Sequence, residues 1–231
     1  MSSNSNTRTN RRSNGNGSTP KKTNPKRLFW ICTLLFILIV AGGGCGFISA
    51  TLSNLPDVSN VRPSASSQIY DVHGNLITTV HSTENRLPVP LKDVPKDLQN
   101  AFVATEDSRF YTHHGIDPIG ILRAVWVNIV HSGVSEGGST ITQQLARNAF
   151  LSQDRTFKRK ISEALLALKI EQHYTKDEIL EMYMNQIYFG QGAYGVQSAS
   201  HVYFGKDASE LTLAQAALIA GLPQSPNYYS P

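Results

Sequence analysis

Gly137-Gly138-Ser139-Thr140-Ile141-Thr142-Gln143-Gln144 is the stretch from which the fold reads outward. Two glycines end whatever precedes them. Thr140 and Gln143 then have capping-box spacing, so a helix opens at Ile141. The same spacing recurs at Thr175 with Glu178, opening a helix to about Gln186, and at Thr212 with Gln215, where Gly221 and Pro223 close the helix. Upstream, Pro95 suits the first turn of a helix running to about Asp107. Asp117 is placed to cap a helix from Pro118, with Ile119, Leu122, Val125, Trp126 and Ile129 on one face and Gly133 near its end. Asp154 or Thr156 starts a helix through Tyr174, with Ile161, Leu165 and Leu168 as its buried stripe. Residues 95–231 therefore read as a mainly α domain. Before it, the β-branched runs 68–72 and 76–80 around His73-Gly74-Asn75 read as a short β-hairpin within a linker at 53–94.

The chain has 231 residues and a formal charge of +4, but that average hides an asymmetry. Residues 1–27 hold seven basic residues and no acid, a composition that reads as a disordered tail. The rest carries 14 basic against 17 acidic residues, which argues against a nucleic-acid-binding body. Residues 28–56 contain no charge, and an apolar run of about 20 residues is long enough to cross a bilayer. The basic residues before it keep the N-terminus cytoplasmic and the body outside, so residues 28–52 read as a single-pass anchor. A cleaved signal peptide is the competing reading, with small residues at Ile48-Ser49-Ala50. Both cysteines, Cys32 and Cys45, fall inside the apolar run, so the body has neither a thiol nucleophile nor a disulfide framework.

Four places could carry chemistry. Glu106 and Asp107 are adjacent carboxylates at a helix end, followed by Phe110, His113, His114 and Gly115. A carboxyl buried there has its pKa raised toward the range useful for proton transfer. Gly137–Gln144 sets the hydroxyls of Ser139 and Thr140 and the N–H groups of a helix start where an anion can bind. Arg147, Arg155, Lys158, Arg159 and Lys160 cluster beside it, with Glu163 four residues after Arg159. Asn185-Gln186-Ile187-Tyr188-Phe189-Gly190-Gln191-Gly192-Ala193-Tyr194-Gly195 is a polar, aromatic, glycine-rich loop of a kind that often carries function. Each also has an ordinary structural reading: a solvated helix end, a capped helix, a charged surface, a packing loop. Together they suggest chemistry on a phosphate-bearing substrate at the outer membrane surface.

In order, Glu106-Asp107-Ser108-Arg109-Phe110-Tyr111-Thr112-His113-His114-Gly115, Gly138–Gln144, Arg159-Lys160-Ile161-Ser162-Glu163 and Ile179-Leu180-Glu181-Met182-Tyr183-Met184-Asn185 resemble the four motifs of the peptidoglycan glycosyltransferase domain of class A penicillin-binding proteins. The resemblance runs from about Gln68 to Pro231. It implies a lysozyme-like helical fold with a membrane-embedded jaw, and polymerisation of lipid II into β-1,4-linked glycan strands with release of undecaprenyl diphosphate. Glu106 would be the catalytic base and Glu163 the second catalytic glutamate, assisting departure of the diphosphate directly or through a metal. Asp107, Phe110 and His113 would support them, while Ser139, Thr140, Gln143, Gln144, Arg147, Arg155, Arg159, Lys160 and Asn185 would bind diphosphate and substrate. The family's chemistry admits a divalent cation, Mg²⁺ or Mn²⁺, yet no cluster here has metal-ligand spacing, so no metal ligand is assigned. The implied partners are lipid II, the growing glycan chain, the bacterial cell membrane and other cell-wall synthesis proteins, with no nucleic acid. Ile119–Val130 and the segment before Gly137 are candidates for membrane contact or for ordinary helix packing. The S-x-x-K, S-x-N and K-T-G transpeptidase motifs do not occur together as a set, and the expectation is a C-terminally truncated piece of a bifunctional protein, with a naturally short enzyme as the alternative. A lytic glycan hydrolase and a non-catalytic membrane scaffold are the rival classes.

Overall fold

The computed structural model describes residues 42, 46, 49–59, 67–74, 76–80, 85–131, 137–152, 154 and 156–230. The chain divides into two units, residues 1–50 and 51–231. The basic tail, most of the expected anchor, and the expected roles of Asn75, Gly133 and Arg155 lie outside the described residues. Among the described residues, no helix is long and apolar enough to cross a membrane.

The second unit contains the expected hairpin, β1 (Ser67–Tyr70) antiparallel to β2 (Leu76–Val80), with Ser67 opposite Val80 and a bulge at Ile69/Tyr70. Asp71 Oδ1 accepts from the His73 amide at 2.8 Å, which tightens the turn. Among the described residues, seven α-helices of two turns or more follow: α1 (Lys96–Glu106), α2 (Pro118–Val130), α3 (Ile141–Phe150), α4 (Phe157–His173), α5 (Lys176–Gln186), α6 (Val196–Phe204) and α7 (Leu213–Gly221). A single turn, α8 (Pro226–Tyr229), lies beyond them. Two-residue strands β3 (Asn85–Arg86) and β4 (Ala193–Tyr194) pair in parallel.

All three capping boxes form, at Thr140/Gln143, Thr175/Glu178 and Thr212/Gln215. Each cap residue is worth about 0.5–2 kcal/mol. Helix α3 packs on α4 and α5, and α1 on α7. Phe102 links the two groups by edge-on contacts to Tyr183 and Phe189, with ring centroids 6.1 and 5.9 Å apart.

Of the two cap candidates for α4, Thr156 is the one that caps it. One expectation needs correction. The buried stripe of α4 is Ser162, Glu163, Leu166, Ala167 and Ile170, while Leu168 is exposed and Ile161 and Leu165 are only half-buried. An inward-facing carboxylate at 163 breaks the apolar period, so a reading by hydrophobicity chooses the wrong face. Helix α6 carries no sequence signal at its start, because its N-cap is Gly195, without a capping side chain. In α2 only Gly120 and Ala124 are buried, and Leu122, Trp126 and Ile129 are each nearly 70% exposed (69%, 69% and 68%). Among the described residues of the second unit, nothing covers the apolar face of α2.

Gly115 sits at φ +83°, and a Cβ there would lie 2.8 Å from the Ala167 carbonyl oxygen. Its own carbonyl accepts from Thr140 Oγ at 2.7 Å, so this one residue lets the first motif close onto both α4 and the cap of α3. Gly115→Ala is expected to destabilise the fold by about 1–3 kcal/mol, read as a lower midpoint in urea unfolding.

Candidate active site

Glu106 ends α1 and lines a cavity of about 180 Å³ with Ser139, Gln144, Arg123 and Gln224. Its Oε2 accepts from Gln144 Nε2 at 2.7 Å, and Gln144 Oε1 in turn accepts from the Tyr183 hydroxyl at 3.2 Å. This chain fixes the Gln144 amide. A flipped amide would set its oxygen against the Glu106 carboxylate. Among the described residues, the other oxygen of Glu106 makes no hydrogen bond. Burial pushes the Glu106 pKa above the ordinary 4.5. The Gln144 hydrogen bond and the charge of Arg147 pull it partly back, and Asp107 adds to the rise. Burial likewise keeps Tyr183 protonated, its pKa well above 10.0, so it remains a donor.

Asp107 has a different task. His113 Nε2 donates to its carboxylate at 2.9 Å, and its Oδ2 accepts from the Ile141 amide at 3.1 Å. Phe110 is fully buried with its ring centroid 6.4 Å from that of His113, and the Lys176 ammonium lies 4.5 Å from the Phe110 centroid. The carboxylate therefore joins the end of α1 to the start of α3 and sets the backbone angle at which Glu106 is presented.

The same contacts correct the expectation of an open anion site at the α3 N-terminus. The Ile141 amide is bonded to Asp107, and the Gln143 amide to Thr140 Oγ. The Thr140 amide donates to Gln143 Oε1. Thr140 and Gln143 are buried, with their side chains engaged in the cap. Asn185 is also buried. Its Oδ1 accepts from the Val89 amide and its Nδ2 donates to the Val89 and Glu181 carbonyls. These three residues hold backbone in place.

Cationic side chains are arranged around Glu163, which is fully buried. Arg159 Nη1 lies 2.8 Å from Oε1 and Lys160 Nζ 2.8 Å from Oε2. Lys160 also donates to Ser139 Oγ at 2.7 Å, tying the glycine loop to α4. Arg147 and Arg159 face a cleft of about 670 Å³ whose wall includes Gln144, Tyr188 and Tyr194. Gln144 borders both this cleft and the Glu106 cavity, so a carboxylate and an arginine-lined space meet at one side chain. Among the described residues, no group of three or more His, Cys, Asp and Glu is placed to hold a metal ion. Both oxygens of Glu163 already face cations, and a divalent ion would have to displace them.

The structure thus brings together Glu106, Gln144, Ser139, Arg147, Arg159, Lys160 and Glu163. Sequence reading missed three of their neighbours. Tyr183 sits inside the fourth motif, where its spacing looks like helix core. Arg123 is a single charge on an apolar helix, and Arg86 lies in what reads as linker.

The transglycosylase family model matches residues 73–231, and the chain belongs to that family. Penicillin-binding protein 1A of Escherichia coli (strain K12) is 50% identical over 208 residues, which is 89% of this chain and 24% of that protein. Penicillin-binding protein 1F of Bacillus subtilis (strain 168) is 45% identical over 212 residues, covering 91% of this chain and 29% of that protein. For penicillin-binding protein 1A of Aquifex aeolicus (strain VF5) the identity is 49% over 188 residues, with 80% and 26% covered. The chain therefore spans less than a third of the length of these curated relatives.

Proposed function

We propose that this chain is a peptidoglycan glycosyltransferase that polymerises lipid II into β-1,4-linked glycan strands and releases undecaprenyl diphosphate. The observation that carries the reading is Glu106, a carboxylate of raised pKa whose neighbour Gln144 also borders the cleft lined by Arg147 and Arg159. Glu106 takes the proton of the acceptor sugar 4-hydroxyl. The oxygen attacks the anomeric carbon of the donor, the bond from that carbon to the diphosphate oxygen breaks, and the electron pair leaves with the diphosphate. Base and leaving group lie on opposite faces of the sugar, which inverts the anomeric centre.

Arg147, Arg159 and Lys160 stabilise the charge that develops on the diphosphate, and Arg155 is assigned with them from the family resemblance alone. Fixed cations do this without reorganising at the moment of reaction. Glu163 acts through Arg159 and Lys160, holding them in place, and no step is routed through a metal. Asp107, His113 and Phe110 position Glu106, and Thr140, Gln143 and Asn185 position the backbone around it. In this reading residues 1–27 are a cytoplasmic tail, 28–52 anchor the chain in the bacterial cell membrane, 53–94 link to a hairpin, and 95–231 form an extracytoplasmic lysozyme-like domain. The exposed apolar face of α2 supports contact with the bilayer.

The test is incubation of the detergent-solubilised chain with labelled lipid II. Muramidase-sensitive polymer is the expected product. Intact lipid II beside a demonstrably folded protein, or release of reducing sugar from preformed glycan, contradicts the proposal.

A further inference from the structure

Of the thirteen residues of α2, Gly120 and Ala124 are the buried ones, so apolar packing fixes the direction of this helix weakly. Polar contacts at its start take over that task. Asp117 Oδ1 caps the helix by accepting from the Ile119 amide at 3.1 Å. The same carboxylate receives the Arg109 guanidinium as a fork, with Nε donating to Oδ2 at 3.0 Å and Nη2 to Oδ1. Gly120 makes the room, because a Cβ there would run into Asp117 Oδ2. A cap alone lets a helix pivot about one bond. A planar fork with two bonds also fixes an orientation.

The base of the fork is itself held. Arg109 lies two residues after Asp107, in a turn where the Phe110 amide donates to the Asp107 carbonyl at 2.9 Å. The Thr112 amide and hydroxyl both donate to the Arg109 carbonyl at 2.8 Å. Asp107 is bonded in turn to His113 and to the first amide of α3. The fork therefore ties α2 to the same turn that presents Glu106. Further along, α2 rests on the glycine loop: a Cβ on Gly138 would lie 3.2 Å from Ile121 Cα and 3.5 Å from Ala124 Cβ.

The direction of α2 matters to the site because Arg123 lines the Glu106 cavity, together with Gly137 and Ser139 of that loop. Arg123 stands about 9 Å along the helix axis from Asp117, so a tilt of about 10° moves it by about 1.5 Å. Misplacing a site group by about 1 Å can cost about 10²-fold in rate.

We propose that Arg109 is a positioning residue, whose fork on Asp117 sets the tilt of α2 and so the width of the Glu106 cavity. The cavity's part in catalysis rests on the glycosyltransferase reading above, whereas the tilt does not. Arg109 acts through α2 on how the substrate sits and leaves the ionisation of Glu106 alone.

Asp117→Asn and Arg109→Gln test this in the full chain carrying Trp30→Phe, where Trp126 of α2 is the sole tryptophan. The asparagine still accepts from the Ile119 amide, so the cap survives while the charged fork is lost. Time-resolved anisotropy of Trp126 in detergent micelles is read beside thermal unfolding, kcat, KM and the acid limb of the pH profile with labelled lipid II. Both variants are expected to lower the residual anisotropy of Trp126 and to raise KM several-fold, with the acid limb unmoved. Arg109→Lys keeps the charge without the fork and is expected to fall between wild type and Arg109→Gln. It also carries the test should the asparagine variant fail to fold. Unchanged anisotropy, an unchanged KM, a shifted acid limb, or activity that falls only in step with the unfolding midpoint overturns the positioning role. If the wild type makes no polymer, the glycosyltransferase reading fails separately and the anisotropy decides. A lower value in the variants then supports the clamp on α2, and an unchanged value overturns it.

Discussion

Glu106→Gln is expected to lower lipid II polymerisation by about 10²–10⁴-fold without loss of stability. The amide has the shape of the carboxyl, and its oxygen can still accept from Gln144 Nε2, which now donates at 2.7 Å. What it cannot do is take a proton. The stability side follows from the raised pKa. A carboxyl whose folded pKa exceeds its unfolded value contributes stability below the unfolded pKa and loses it as pH rises through the folded value. At neutral pH the ionised Glu106 is therefore a burden on the fold, and a neutral amide at least matches it. Initial rates with labelled lipid II and thermal unfolding at pH 7 check both halves. A variant that polymerises at near the wild-type rate would remove Glu106 from the mechanism.

Arg159→Met combined with Lys160→Met is expected to cost about 3–5 kcal/mol, because it leaves the fully buried Glu163 carboxylate with neither of its cations. The two partners are not equal. Arg159 is 17% exposed and Lys160 46%, so Lys160→Met alone removes a well-screened charge and costs far less. Adding Glu163→Gln to the double variant removes the stranded charge and is expected to return much of the stability while polymerisation stays lost. Urea midpoints of the three proteins measure this directly. A double variant as stable as wild type would mean that the two cations do not stabilise Glu163.

Much of the helical frame is legible from local chemistry, because caps are local. Thr140, Thr175 and Thr212 each find their partner three residues on, and Asp117 accepts from the Ile119 amide as its position suggests. The limits appear where an element depends on something distant. Helix α6 starts at a glycine and is set by its packing. The inward face of α4 depends on a carboxylate that is buried only because Arg159 and Lys160 come with it. At the site, Glu106 and Glu163 stand out as residue types in motifs, but their difference does not. Among the described residues each keeps one oxygen without a hydrogen bond, but Glu106 lines a cavity, whereas both oxygens of Glu163 face cations at 2.8 Å. Gln143 and Gln144 are adjacent and chemically identical, and only the helix register separates them. Gln143 turns back to its cap and Gln144 turns to Glu106.

The pH dependence of kcat/KM for lipid II tests the central claim most directly, because it reports ionisation of the base in the free enzyme. A base works when deprotonated, so activity rises with pH through the pKa of Glu106. The acid limb should lie above 4.5 in the wild type. Gln144→Ala removes the hydrogen bond that pulls this pKa down, so its limb should move to still higher pH, whatever happens to the plateau. A limb at or below 4.5, or one that Gln144→Ala leaves in place, would contradict Glu106 as the base that this site was built to hold.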